Sequence, residues 1–255
     1  RDRVKTSYRD IYLLPSFCSL GNLFFGFLSL FATFHGRYAW AGFWVICAAT
    51  MDALDGIVAR SSRTHSDFGR ELDSLADAVS FGAAPAILLY FWGLQGARTA
   101  GLFFAFVYLA AGLLRLARYN VRSVAQTDRR HYTGLTIPSS SMFLSSIVFL
   151  RSRPLIDDVA VLLIALLSLF LAFCMVSTIP YRNFLSFNLR KRIDLRTALL
   201  IAIIISSLIF YPKIFLVAFF TINVLSGPVT LLAKRVRAGA SSRAAKKEAA
   251  RRKAG

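Results

Sequence analysis

Residues 52–77 read DALDGIVARSSRTHSDFGRELDSLAD. Apolar runs flank this stretch at 38–58 and 74–91, and its middle, 60–67, is short and polar. Two apolar runs joined by so brief a polar link predict a helical hairpin. Folded about residue 64, the hairpin places Asp52 opposite Asp77 and Asp55 opposite Asp73, so that four carboxylates meet at one depth. Asp52 and Asp55 are spaced i, i+3, and Asp73 and Asp77 i, i+4, so each pair shares one face of its helix. Gly56 and Ala59 continue the first face, and Gly69 precedes the second by one turn. Residues this small let backbones approach closely and leave room for a bulky ligand.

The rest of the chain places that hairpin in a membrane. Hydrophobic residues make up 56% of the 255, the mean hydropathy is +0.56, and the apolar residues are blocked into runs. A bilayer core about 30 Å thick needs about 20 mostly apolar helical residues. Eight candidate runs occur, at 14–34, 38–58, 74–91, 100–114, 137–150, 155–176, 198–211 and 214–233. The expected fold is therefore all-α, an integral membrane protein of about eight transmembrane helices. Residues 1–13 form a basic interfacial segment, 14–233 the membrane catalytic domain and 234–255 a basic tail.

A net charge of +18 could indicate nucleic acid, but the 31 Lys and Arg gather at the ends of apolar runs instead of along one polar face. Topology accounts for them. With a cytoplasmic N-terminus and eight spans, 26 basic residues fall inside and only Arg37, Arg98, Arg151, Arg153 and Lys213 outside, as the positive-inside rule requires. Both termini and the aspartate cluster are then cytoplasmic. Cys18, Cys47 and Cys174 sit in apolar runs without paired spacing, which speaks against a disulfide framework or a zinc site. The first run is too long for a signal-peptide core and is read as a retained helix. A chain opening at Arg1 is expected to have lost its initiator methionine or leading residues.

Ionisable groups inside spans are costly, so each is a functional hypothesis. Four neighbouring carboxylates disfavour one another's ionisation. A cation must neutralise them. Oxygen ligands without histidine or cysteine suit Mg2+ or Mn2+ better than zinc, and a pair of ions is the arrangement that stabilises both attacking and leaving oxygens in phosphoryl-type transfer. A structural network with Arg60, Arg63 and Arg70 is the plain alternative. A cation-transport path is the rival function, but it calls for acidic groups spread through the membrane depth, and outside the hairpin the runs carry only Asp157 and Asp158, at the very start of the sixth.

The same residues match a family signature. Asp52, Asp55, Gly56, Ala59, Arg60, Gly69, Asp73 and Asp77 reproduce D-x2-D-G-x2-A-R-x8-G-x3-D-x3-D, and the chain thereby resembles the CDP-alcohol phosphatidyltransferases. The resemblance implies that Asp52, Asp55 and Asp73 bind metal and that Asp77 is a further ligand and the general base. It also implies that Gly56, Ala59 and Gly69 admit the CDP moiety, that Arg60 lies near the nucleotide phosphates, and that the protein forms a homodimer. FGRELDSLADAVSFGAAPA at 68–86, LPSFCSLGNLFFGF at 14–27, RLARYNV at 115–121, GLTIPSSS at 134–141 and MVSTIPYRNF at 175–184 resemble the serine-using bacterial branch, the membrane-embedded phosphatidylserine synthases. That branch more often has Asn and Thr where Ser16 and Ser19 stand here; Asn22 is kept and assigned to the CDP-lipid.

The implied substrates are CDP-diacylglycerol and L-serine, with membrane lipids as surroundings and no nucleic acid; glycerol phosphate, inositol phosphate or choline are the alternative acceptors. Arg115, Arg118 and Asn120 are candidates to hold the serine carboxylate, or else the arginines are positive-inside anchors. Ser139 lines the acceptor pocket or is a small packing residue. His65 and His131 are read as surface residues.

Overall fold

The computed structural model describes residues 13–62, 67–124, 134–155, 157–179, 181, 206–207 and 209–231. These are helical or short connections, with no strand among the described residues. Helix α1, Leu13–Phe34, and helix α2, Tyr38–Ser62, form an antiparallel pair. Gly36 joins them at φ +69, a left-handed conformation that costs glycine little, and the Gly36 and Arg37 amides donate to the carbonyls of Thr33 and Ala32.

Helix α3, Asp67–Asp77, passes through a π turn, Ala78–Ala83, into α4, Ala84–Leu89. A second π turn, Tyr90–Leu94, and a 3-10 turn, Gln95–Ala97, lead to Arg98 at φ 48. There the chain folds back as α5, Arg98–Val124, which packs along both π turns and α4. Helix α6, Ile137–Leu150, lies against α2, and α7, Asp158–Val176, against α5. Pro212–Leu231 forms α8.

The exposed surface of these helices is apolar. On α1 the outward stripe is Phe17, Leu20, Phe24, Phe27, Phe31 and Phe34. On α7 it includes Val159, Leu162, Leu163, Leu166 and Phe173. Water would penalise such stripes, whereas lipid accepts them. The described residues contain four helical stretches long and apolar enough to cross a membrane, Phe17–Phe34, Phe68–Val121, Asp158–Val176 and Pro212–Leu231, with Ile137–Leu150 apolar but shorter. The second of these is 54 residues long. It doubles back at Arg98 and so offers two crossings.

The structure moves several predicted boundaries. The third helix begins at Asp67, not at 74, and the second continues to Ser62. The fourth runs to Val124, not to 114, so RLARYNV belongs to the helix. An apolar window stops at the first charge, but a helix continues while its backbone bonds close, and Arg, Leu and Ala are good helix formers. Most of the predicted seventh run, together with the predicted N-terminal segment, the tail, His65 and His131, lies outside the described residues.

Small residues set the helix spacing that shapes the site. A Cβ on Gly42 of α2 would stand 2.7 Å from the Ser145 carbonyl oxygen of α6, and one on Gly26 of α1 would stand 2.8 Å from the Ser80 Cα in the first π turn. Such crossings exclude any larger residue.

Candidate active site

Three of the four aspartates are brought together, across α2 and α3. Single carboxylate oxygens of Asp52, Asp73 and Asp77 all lie within 4.8 Å of one another. The i, i+4 spacing on α3 turns Asp73 and Asp77 to one face, and Asp52 meets them from α2. Asp55 stands apart from this trio, one turn along α2, although within electrostatic range of Asp52 and Asp73. Both Asp55 and Asp77 are buried.

Each of these two carboxylates is held from α1. The Ser19 hydroxyl donates to Asp55 Oδ2 at 2.7 Å, and Asn22 Nδ2 donates to Asp77 Oδ1 at 3.0 Å. Ser80, in the π turn directly after Asp77, donates its hydroxyl to the Asn22 carbonyl at 2.9 Å. Arg115 of α5 is buried within electrostatic range of Asp77.

Asp55 Oδ1, Asp73 Oδ1 and Asn22 Oδ1 are buried and receive no protein donor. A buried acceptor left unsatisfied costs on the order of 1–3 kcal/mol, more when charged. Carboxylate oxygens gathered as in Asp52, Asp73 and Asp77 match the donor chemistry of a hard divalent cation.

The outer residues divide differently from the sequence expectation. Gly56 faces open space: a Cβ there would meet nothing within 4 Å. Its smallness therefore makes room beside Asp55 instead of letting a neighbouring helix close in. Gly69 is half-buried on α3, and Ala59 and Arg60 lie on the last turns of α2. Arg118 Nη2 donates to the Val176 carbonyl at 2.7 Å and the Met175 carbonyl at 3.4 Å, fastening α5 to the C-terminus of α7, where a cation also complements the helix dipole. Asn120 Nδ2 donates to Ser74 Oγ at 2.9 Å and ties α5 to α3. Ser139 belongs to the first turn of α6, where its amide and hydroxyl bond Thr136 Oγ1; this is a helix cap.

Ser19 and Ser80 were not predicted as functional residues. A signal for the first was present: Ser19, Asn22, Gly26, Ser29 and Thr33 recur at helical spacing in an otherwise apolar helix, and an inward polar stripe in a span marks a packed or functional face.

Comparison with known proteins places this geometry in a family. The CDP-alcohol phosphatidyltransferase family matches residues 12–176, which hold every aspartate of the cluster. A Helicobacter pylori protein named CDP-diacylglycerol--serine O-phosphatidyltransferase is 32% identical over 176 residues, covering 68% of this chain and 73% of the relative. Proteins of the same name from Methanocaldococcus jannaschii and Bacillus subtilis are 33% and 30% identical, covering 70% and 67% of this chain and 78% and 90% of theirs. With the family match spanning well over half its length and three of the signature aspartates gathered, the chain belongs to the CDP-alcohol phosphatidyltransferase family.

Proposed function

We propose that this membrane enzyme transfers a phosphatidyl group from CDP-diacylglycerol to L-serine, giving phosphatidylserine and CMP. The observation that carries the reaction class is the convergence of Asp52, Asp73 and Asp77, from two helices, within 4.8 Å. The acceptor rests on the relatives, whose names share serine across bacterial and archaeal proteins, one of them an archaetidylserine synthase.

In this reading Asp52, Asp55, Asp73 and Asp77 hold Mg2+ or Mn2+, as a pair of ions. The bound cations would polarise the transferred phosphoryl group and offset charge on departing CMP. Asp77 is the general base. Its Oδ1 is taken by Asn22 Nδ2, so Oδ2 accepts the serine hydroxyl proton as the serine oxygen attacks phosphorus and the bond to CMP breaks. Direct displacement follows from a single base with no separate nucleophile.

The open space beside Gly56 suits the CDP moiety, with Ala59, Arg60 and Gly69 around it. Of the two basic candidates for the serine carboxylate, Arg115 is the better placed, buried beside Asp77, while Arg118 serves to dock α7. Asn120 and Ser139 border the acceptor side. The full protein crosses the membrane eight times with both termini and the active site cytoplasmic, because the basic residues divide 26 to 5 on that topology. It acts as a homodimer, as the family resemblance implies.

The test is CMP release by purified protein from labelled CDP-diacylglycerol with a panel of alcohols. L-serine should be used at least about tenfold better than glycerol 3-phosphate, inositol phosphate or choline, a difference of about 1.4 kcal/mol in transition-state binding. Release with glycerol phosphate but not serine would reassign the acceptor and leave the reaction class standing.

A further inference from the structure

Helix α1 carries none of the signature aspartates, yet its buried face is polar. Ser19, Asn22, Ser29 and Thr33 are each no more than 2% exposed. Thr33 bonds within its own helix, to the Ser29 carbonyl. Ser19 and Asn22 instead cross to carboxylates on two different helices, Asp55 on α2 and Asp77 on α3.

We propose that α1 is the positioning element of the active site, with Ser19 and Asn22 setting the orientation of Asp55 and Asp77 through one oxygen each. The second oxygen of each carboxylate is thereby directed toward the cation site, where that of Asp77 also accepts the serine hydroxyl proton. This rests on the metal-site reading above, and it assigns Asn22 to the aspartate instead of to the CDP-lipid.

Three observations support it. A carboxylate only accepts hydrogen bonds, so Asn22 must present Nδ2 to Asp77, and the direction of that contact follows from chemistry. Asp55 is engaged at Oδ2, and its Oδ1 is buried without a protein donor. The depth of α1 is itself locked, since Ser80 donates to the Asn22 carbonyl and Gly26 admits the Ser80 backbone at a distance no larger residue allows. Ser80 lies in the π turn that begins directly after Asp77, so one local irregularity sets both the base and the residue that orients it. Partners that orient metal ligands in this way are typically worth roughly 10–100-fold in metal affinity or activity.

The experiment is Mn2+ binding by purified full-length protein in detergent, followed by electron paramagnetic resonance without substrate, alongside kcat and KM for CDP-diacylglycerol. Asn22→Ala should weaken Mn2+ binding and lower kcat, each roughly 10–100-fold, with KM for CDP-diacylglycerol changed less than about twofold. Ser19→Ala should act in the same direction, and Ser19→Thr, which keeps the hydroxyl, should restore both readouts. That rescue also separates positioning from a folding defect. Wild-type protein that binds no Mn2+ would overturn the metal reading itself. Wild-type protein that binds Mn2+ while Asn22→Ala binds it equally well, with a raised KM for CDP-diacylglycerol, would overturn only the positioning role and make Asn22 a nucleotide contact.

Discussion

Helices α1 and α7 are alike from the outside. Both present apolar side chains outward, α1 through its phenylalanines and α7 through Leu162, Leu163, Leu166 and Phe173. Inside they differ. The buried face of α7 is Val161, Ile164, Leu171, Ala172 and Met175, and its one buried hydroxyl, Ser168, returns to the Ala165 carbonyl of its own helix. On α1, Ser19 and Asn22 reach other helices, where each meets a carboxylate. The difference separates a span that supports the bundle from one that builds the site. Hydropathy registers the polar stripe, at 1.6 for α1 against 3.0 for α7, but it does not say which carboxylate each polar side chain meets.

The comparison breaks or sharpens on measurable effects, the largest being cation removal. Excess EDTA should abolish turnover and Mg2+ or Mn2+ should restore it, since the ligands of the cluster among the described residues are carboxylate oxygens; full activity in EDTA would leave the α1 contacts without a catalytic purpose. Next is Asp77→Asn, which keeps shape and the Asn22 neighbourhood but removes the base. Turnover should fall roughly 10²–10⁴-fold with the thermal unfolding midpoint retained. Unfolding instead would assign the aspartates to a structural network.

On the α7 side the effect should fall on stability. Leu171→Ala, at a fully buried position, should cost about 2–5 kcal/mol of stability, read as a lowered unfolding midpoint, while activity per folded molecule stays within about twofold. Loss of kcat without destabilisation would place α7 in the site after all. The smallest effect should come from Arg118→Ala. Removing its contacts to the Met175 and Val176 carbonyls should destabilise the protein by about 1 kcal/mol, with little change in KM for serine. A KM for serine raised tenfold at unchanged stability would return Arg118 to the acceptor pocket.

The aspartate spacing made the hairpin and its carboxylate cluster legible in advance, since i, i+3 and i, i+4 offsets can only face one way on a helix. The same reading put all four carboxylates together, whereas the closest group is Asp52, Asp73 and Asp77, and Asp55 bonds Ser19. It left Arg118 open between substrate and anchor, and its contact with the Val176 carbonyl, 58 residues away, was not legible there. Ser139, a pocket candidate in the sequence, also takes part in the Thr136 cap of α6, a contact the sequence reading did not include.

By itself the sequence determined the membrane environment and the helical class, which follow from hydropathy and local periodicity acting over one or two turns, and the family, which follows from the spacing of the signature residues. The tertiary structure alone decided which polar side chain answers which carboxylate. Ser19 to Asp55 spans 36 residues and Asn22 to Asp77 spans 55, and contacts at such separations depend on how helices cross. Those crossings are set by Gly26 against Ser80 and Gly42 against Ser145. A glycine in a single sequence does not announce its partner, since what it contributes is an absence of atoms that becomes meaningful only when another backbone fills the space.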